Sequence, residues 1–135
     1  RIMAAPPGGK NFVHVGDVAA GIVAALRKGV NGQAYLLCGQ NMDYHSFYST
    51  LSRVSGHKMA IIRLPEWLTL GIGHICSALY KIGIRTDATL ENMRLLCIGN
   101  YYTNKKAQTD LDLDFRSAEE AIRDAVEWFK GAGML

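Results

Sequence analysis

The sequence predicts an α/β domain, and three observations carry that prediction. Short apolar runs alternate with longer stretches whose apolar residues recur every three or four positions, so strands are separated by helices. Tyr35-Leu36-Leu37-Cys38 is apolar without alternation, the pattern of a strand covered on both faces in a parallel sheet. Helix boundaries are spelled out by capping residues, most fully by Ser117-Ala118-Glu119-Glu120, a capping box.

The elements follow in order. Residues 1–10, RIMAAPPGGK, hold Pro6, Pro7, Gly8 and Gly9 and are expected to form a turn or linker. Asn11 to Val15 reads as a strand, with Phe12 on one face and Val13 and Val15 on the other. Asp17 is expected to cap a helix whose stripe is Val18, Ala19, Ile22, Val23, Ala25 and Leu26. Arg27 and Lys28 suit its negative end, and Gly29 its stop. Gly21 costs about 1 kcal/mol against alanine in mid-helix and so marks close approach by another element. Asn31-Gly32 turns the chain into a second strand, Ala34 to Cys38.

Asp43 caps the next helix, which carries Tyr44, Phe47, Tyr48, Leu51 and Val54 on one face and ends at Gly56. Met59 to Arg63 is a third strand. Pro65 opens a helix to about Gly83, with Leu68, Ile72, Ile75, Leu79 and Ile82 as its packed seam. Another helix spans Asp87 to Ile98 and is broken by Gly99-Asn100. Tyr101 to Thr103 suggests a strand end, and Asn104 caps a short helical turn. The capping box at Ser117 starts a last helix with Ala118, Ala121, Ile122, Ala125, Val126 and Phe129 on one face.

Composition bounds the function. The chain has 135 residues, enough for one domain that buries roughly two-thirds of its unfolded surface. A net charge of +3, with lysine and arginine scattered, gives no nucleic-acid footprint. Cys38, Cys76 and Cys97 have no C-x-x-C spacing and read as buried thiols of a reducing compartment, so the cytoplasm is the expected location. No signal peptide opens the chain, and a first residue other than methionine suggests that upstream sequence is missing.

Several short motifs invite chemistry and fail on context. Tyr101 and Lys105, like Tyr102 and Lys106, fit a Tyr-x-x-x-Lys acid/base pair, which works only where both stand on one helix face. Gly99-Asn100 and the Asn104 cap put a boundary through both pairs. GIGHIC, residues 71–76, begins like a dinucleotide fingerprint but lies inside a helical pattern and ends in Cys76. Gly71 and Gly73 are better read as sites of close helix packing. His14, His45, His57 and His74 share no metal-ligand spacing, and no metal site is expected. His14, in a strand between valines, reads as a hydrogen-bonded structural histidine. Glu66, His74 and Lys81 interrupt the apolar stretch 65–84, which is not expected to span a membrane.

Four stretches together resemble the extended short-chain dehydrogenases/reductases of the NAD-dependent epimerase/dehydratase family, in the branch of dihydroflavonol-reductase-like proteins and sugar epimerases. KNFVHVGDVAAGIVAAL is similar to the family's strand-and-helix segment NFVHVDDVAxGxxxAL, and GQAYLLCGQNMDYHSF to the strand, turn and helix after it. RLPEWL resembles the entry to the substrate-domain helix, and YYTNKKAQTDLDLDFRSAEEAIRDAVEWFK the closing helices. The family's Gly-rich loop, Ser/Thr and Tyr-x-x-x-Lys pair belong to an N-terminal Rossmann half that this sequence does not contain.

The resemblance implies a C-terminal portion: a mostly helical substrate-binding lobe plus the last strands of a Rossmann-type sheet, with 1–10 as linker and 11–135 as the substrate-binding part. It implies NAD or NADP in the parent enzyme, none on this chain alone, and no catalytic residue here. In nucleotide-sugar members the position of Lys10 is an arginine facing the substrate's phosphates, and that of Phe12 an aromatic facing its base. Lysine lacks arginine's bidentate fork, which weakens the case for a nucleotide sugar. Arg94 and Tyr101 are added as substrate-binding residues from their place near the predicted junction. The expected partners are a small-molecule substrate, the missing Rossmann half and further copies of the chain, with neither nucleic acid nor membrane. The competing reading is a free-standing ligand- or protein-binding module derived from the family.

Overall fold

The computed structural model describes residues 2–134. It is an α/β fold with six helices and two small sheets among the described residues. Strand β1 (Ile2–Ala5) pairs in parallel with β4 (Ala60–Arg63), in the register Ile2 to Ala60 through Ala5 to Arg63. The second sheet has the order β3-β2-β5. Here β2 (Gly9–Phe12) runs antiparallel to β3 (Gln40–Asp43) and parallel to the two-residue β5 (Gly99–Asn100). Within residues 2–10 the turn is thus short: Pro6, Pro7 and Gly8 join two strands where only a turn or linker was expected. Partners far along the chain make β1 a strand, and the sequence near it does not show them.

Helix α1 (Val15–Lys28) is capped three residues earlier than the expected Asp17. His14 is its N-cap, and the imidazole Nδ1 accepts from the Gly16 N–H at 2.9 Å. The strand before it correspondingly ends at Phe12 rather than Val15. Helix α2 (Tyr44–Ser55) matches expectation at both ends: Asp43 accepts from the Ser46 N–H, and Gly56 closes it at φ 75°, where a side chain would be strained.

Residues 34–38 form no strand. Their polar backbone is met by side chains instead: Asn104 Nδ2 donates to the Cys38 carbonyl at 2.5 Å and Lys106 Nζ to the Ala34 carbonyl at 3.1 Å. A strand needs a neighbour, and no described segment offers one. Leu37 does lie against Gly21 of α1, where any side chain would collide, so the mid-helix glycine marks the close approach expected of it. Asn104, expected as a cap, gives its amide to that carbonyl and makes no capping bond to α5 (Lys105–Leu111).

Helix α3 (Glu66–Lys81) packs on α4 (Leu90–Cys97) through a different face from the expected seam. Thr69 and Gly73 are buried there, and Ser77 Oγ accepts from the Leu90 N–H at 2.8 Å. Small residues let the two backbones approach, whereas Ile75 and Ile82 of the seam are 64% and 73% exposed. Pro65 is the N-cap rather than the first helical residue, and α4, capped by Thr89, begins at Leu90, three residues later than the predicted start. Gly99-Asn100, expected only as a break, is β5, while Tyr101 to Thr103 follow it outside the sheet.

The last helix, α6 (Ala118–Gly131), has its complete capping box. Ala118, Ile122 and Val126 are buried, as are Ala107 and Leu111 of α5 and Tyr44 of α2. Helix α6 packs on α2, and α5 packs on α1. Arg53 of α2 grips Glu119 of α6 with two parallel bonds of 2.7 and 3.0 Å.

Candidate functional site

The middle of β2 is where sequence reasoning placed the site, and its surroundings are tightly fixed. The Gly8 and Gly9 amides donate to the carbonyls of Leu96 and Ile98, joining β2 to the chain between α4 and β5. A Cβ on Gly8 would lie 2.5 and 2.6 Å from those two carbonyl oxygens, so only glycine fits. Tyr101, just past β5, lays its ring back over Gly99 and Gly9; a side chain at Gly9 would collide with its hydroxyl. Its ring is 49% exposed. Two opposed glycines therefore form a trough that an aromatic ring fills.

Lys10 is exposed on β2 between Met42 and Asn100 and makes no ion pair among the described residues. Successive side chains alternate across a strand, so Lys10 and Phe12 leave one face of β2 while Asn11 shares the other with Tyr101. Phe12 is stacked on Phe47 of α2, with ring centroids 4.2 Å apart and planes 9° from parallel. Its ring is thus engaged in packing. Arg94 is exposed on α4, the helix that leads into β5, and has no hydrogen-bonded partner among the described residues. The structure brings Lys10 and Tyr101 to one β2–β5 junction, on opposite faces of β2, while Arg94 stays on α4.

A cavity of about 270 Å³ opens where the two sheets meet, lined by Ala5, Pro6, Pro7, Asp43, His45, Arg63 and Leu64. Arg63 approaches His45 Nδ1 at 3.4 Å. The Asp43 carboxyl is held below its ordinary value by the Ser46 N–H, with Arg63 and His45 adding to the effect against the cost of burial. Sequence reasoning assigned Asp43 only its capping role and gave His45 no role beyond its lack of metal-ligand spacing. Their meeting with Arg63 depends on β1 and β4 pairing, which has no local signal. The nearest hint was that Arg63 begins the RLP stretch.

The other motifs resolve into structure. His14 Nε2 lies 2.9 Å from Asp124 of α6, so both ring nitrogens are engaged in holding α1 and α6 together. Tyr101 and Tyr102 precede α5 while Lys105 and Lys106 lie on it, so neither pair shares a helix face. Lys106 instead sits 4.9 Å over the Tyr35 ring and donates to Gln33. Burial pushes the Cys38 thiol up, and burial together with Glu66 does the same for Cys97. Gly73 is pressed on Leu90 and Met93 as expected, but Gly71 faces open space. GIGHIC lies inside α3 rather than in the turn between a strand and a helix. No helix among the described residues is long and apolar enough to cross a membrane.

No family model matches the chain. It is 30% identical over 138 residues to sterol demethylase protein B of Methylococcus capsulatus (strain Bath), covering all of this chain and 42% of that protein. It is 28% identical over 132 residues to a Synechocystis protein named "Putative dihydroflavonol 4-reductase", covering 94% and 38%. Among solved structures, gox2253 superimposes with a TM-score of 0.80 at 28% identity, over 98% of this chain and 40% of that one. RMD from Pseudomonas aeruginosa, complexed with NADPH, gives 0.62 at 11% identity over 97% and 36%, a likeness of fold alone. The chain spans about two-fifths of the length of the curated relatives it matches.

Proposed function

Starting from a chain that is similar, over nearly all its length, to the C-terminal part of NAD-dependent epimerase/reductase proteins, we propose that it is the substrate-binding part of an NAD(P)-dependent epimerase/dehydratase or reductase. Its substrate would be a sugar nucleotide or a small carbonyl compound. The observation that carries this reading is that essentially the whole chain matches only two-fifths of each curated relative. A part of that size is suited to present substrate to a cofactor held elsewhere.

The β2–β5 junction supports the assignment chemically. On one face of β2 Lys10 supplies an ammonium with no ion pair among the described residues for an anionic substrate group, and on the other Tyr101 supplies a fixed, half-exposed ring. Bound NAD or NADP would supply the hydride chemistry. On this reading the dinucleotide is held by a Rossmann half outside these residues, and the chain alone is inactive. A cytoplasmic location accords with three unpaired cysteines.

The apolar faces support a missing neighbour. A shallow cavity of about 580 Å³ between the start of α1 and α6 is walled by Val13, Val15, Trp128 and Phe129, and Val15 is 80% exposed. Residues 34–38 run beside α1 with no strand partner, as a sheet edge would if its next strand lay on another part of the chain. Isothermal titration of NADH and NADPH into the 135-residue chain is expected to give no saturable heat. Stoichiometric, tight binding of either would overturn the proposal.

A further inference from the structure

We propose that Asn41, backed by Asn11, is the positioning residue that holds Tyr101 in place on the β2–β5 junction; the inference rests on reading that junction as a substrate wall. Asn11 and Asn41 are a directly opposed cross-strand pair of β2 and β3. Each uses its amide as a neighbouring peptide would. Asn11 Oδ1 accepts from the Gly39 N–H at 2.8 Å while its Nδ2 donates to the Gly39 carbonyl at 3.1 Å. Asn41 repeats the grip on the other side: Oδ1 accepts from the Tyr102 N–H at 3.2 Å and Nδ2 donates to the Tyr102 carbonyl at 2.9 Å. Asn11 Nδ2 also donates to Asn41 Oδ1 at 2.7 Å, which couples the two grips.

A side-chain amide used in this way stands in for a strand, satisfying both polar groups of a peptide that has no ladder partner. β5 ends at Asn100, so the sheet itself holds nothing beyond that residue. Asn100 is registered against Lys10 of β2, and Asn41 clamps residue 102, so both neighbours of Tyr101 are anchored. The glycine trough then receives the ring. The bonds from Asn41 to residue 102 are exposed to solvent, where water could satisfy the same groups. What the clamp adds is direction. It fixes where the phenol hydroxyl stands relative to Lys10 across the strand.

The test is made by NMR on the isotopically labelled chain without ligand, so it stands or falls independently of cofactor binding and of the substrate assignment. Its readouts are the nuclear Overhauser contact between the Tyr101 ring and the Gly9 α-protons, and hydrogen exchange at the Tyr102 amide. In Asn41→Ala the contact is expected to disappear and Tyr102 to exchange about ten-fold faster, while α2 and α6 keep their protection. Asn41→Asp keeps the acceptor for the Tyr102 N–H but sets a carboxylate oxygen against the Tyr102 carbonyl, so it too is expected to lose the ring contact while α2 and α6 keep their protection. An Asn41→Ala chain with the ring contact intact overturns the proposal. So does loss of protection spread evenly over α2 and α6, which would make Asn41 a general structural residue. Should Asn41→Ala fail to fold, Asn41→Asp decides: a lost ring contact with α2 and α6 still protected supports the positioning role, and a kept contact refutes it.

Discussion

Asp17 is a buried carboxylate in the first turn of α1, and its partner lies almost a hundred residues away. Its oxygens accept from the Arg116 backbone N–H and Nε at 2.8 Å each and from Arg116 Nη2 at 2.7 Å. Burial alone would raise its pKa, but the Arg116 hydrogen bonds and charge outweigh it and hold the carboxyl below its ordinary value. A carboxyl depressed by folding contributes stability above its unfolded pKa, near 4, and loses that contribution as the pH falls through the folded value. Asp17→Asn should therefore cost about 2 kcal/mol at pH 7, toward the low end for a broken buried pair because Arg116 is partly exposed. Urea denaturation at pH 7 and again near pH 3 should show the gap between wild type and variant closing in acid. Equal midpoints at pH 7 would mean that the pair does not hold α1 to the loop before α6.

At the scale of elements, α3 offers a matched pair of glycines. Nothing lies within 4 Å of a Cβ placed on Gly71, so Gly71→Ala should stabilise the chain by about 0.5–1 kcal/mol through helix propensity alone. A Cβ on Gly73 would lie 3.0 Å from the Leu90 backbone and from Met93, so Gly73→Val should lose about 2–3 kcal/mol by forcing α3 off α4. Thermal unfolding of the two variants checks both signs. If both moved the same way, the α3–α4 contact would not run along the small-residue face.

At the scale of the molecule, the apolar surface is larger than the core can use. Ile22, Val23 and Leu26 of α1, Leu36 beside it, and Trp67, Ile75 and Ile82 on or beside α3 are all substantially exposed. Exposed apolar area of this extent favours association. The isolated chain is expected to run as a dimer or larger species in light scattering, and a clean monomer at high concentration would count against uncovered interfaces on α1 and α3.

What the sequence determined by itself was local. The α/β class, the Asp43 and Ser117 caps, the Gly56 stop and the short strand at Ala60–Arg63 follow from residues within a few positions of one another. A capping side chain reaches only its own first turn, so its partner is written beside it. Tertiary structure decided the rest. Ile2–Ala5 became a strand because β4 pairs with it, and Ala34–Cys38 did not because no described strand does. The Leu/Ile seam of α3 gave way to Thr69 and Gly73 because close backbone approach favoured the smaller face. The candidate wall shows the same division. Lys10 and Tyr101 could be picked out by resemblance and position, but their opposite sides of β2, the stacking of Phe12 and the asparagine clamp depend on contacts made across 30 to 61 residues of chain. Hydrophobic period and turn chemistry are properties of neighbours, whereas strand pairing and side-chain clasps are chosen among distant segments by what else remains to be satisfied.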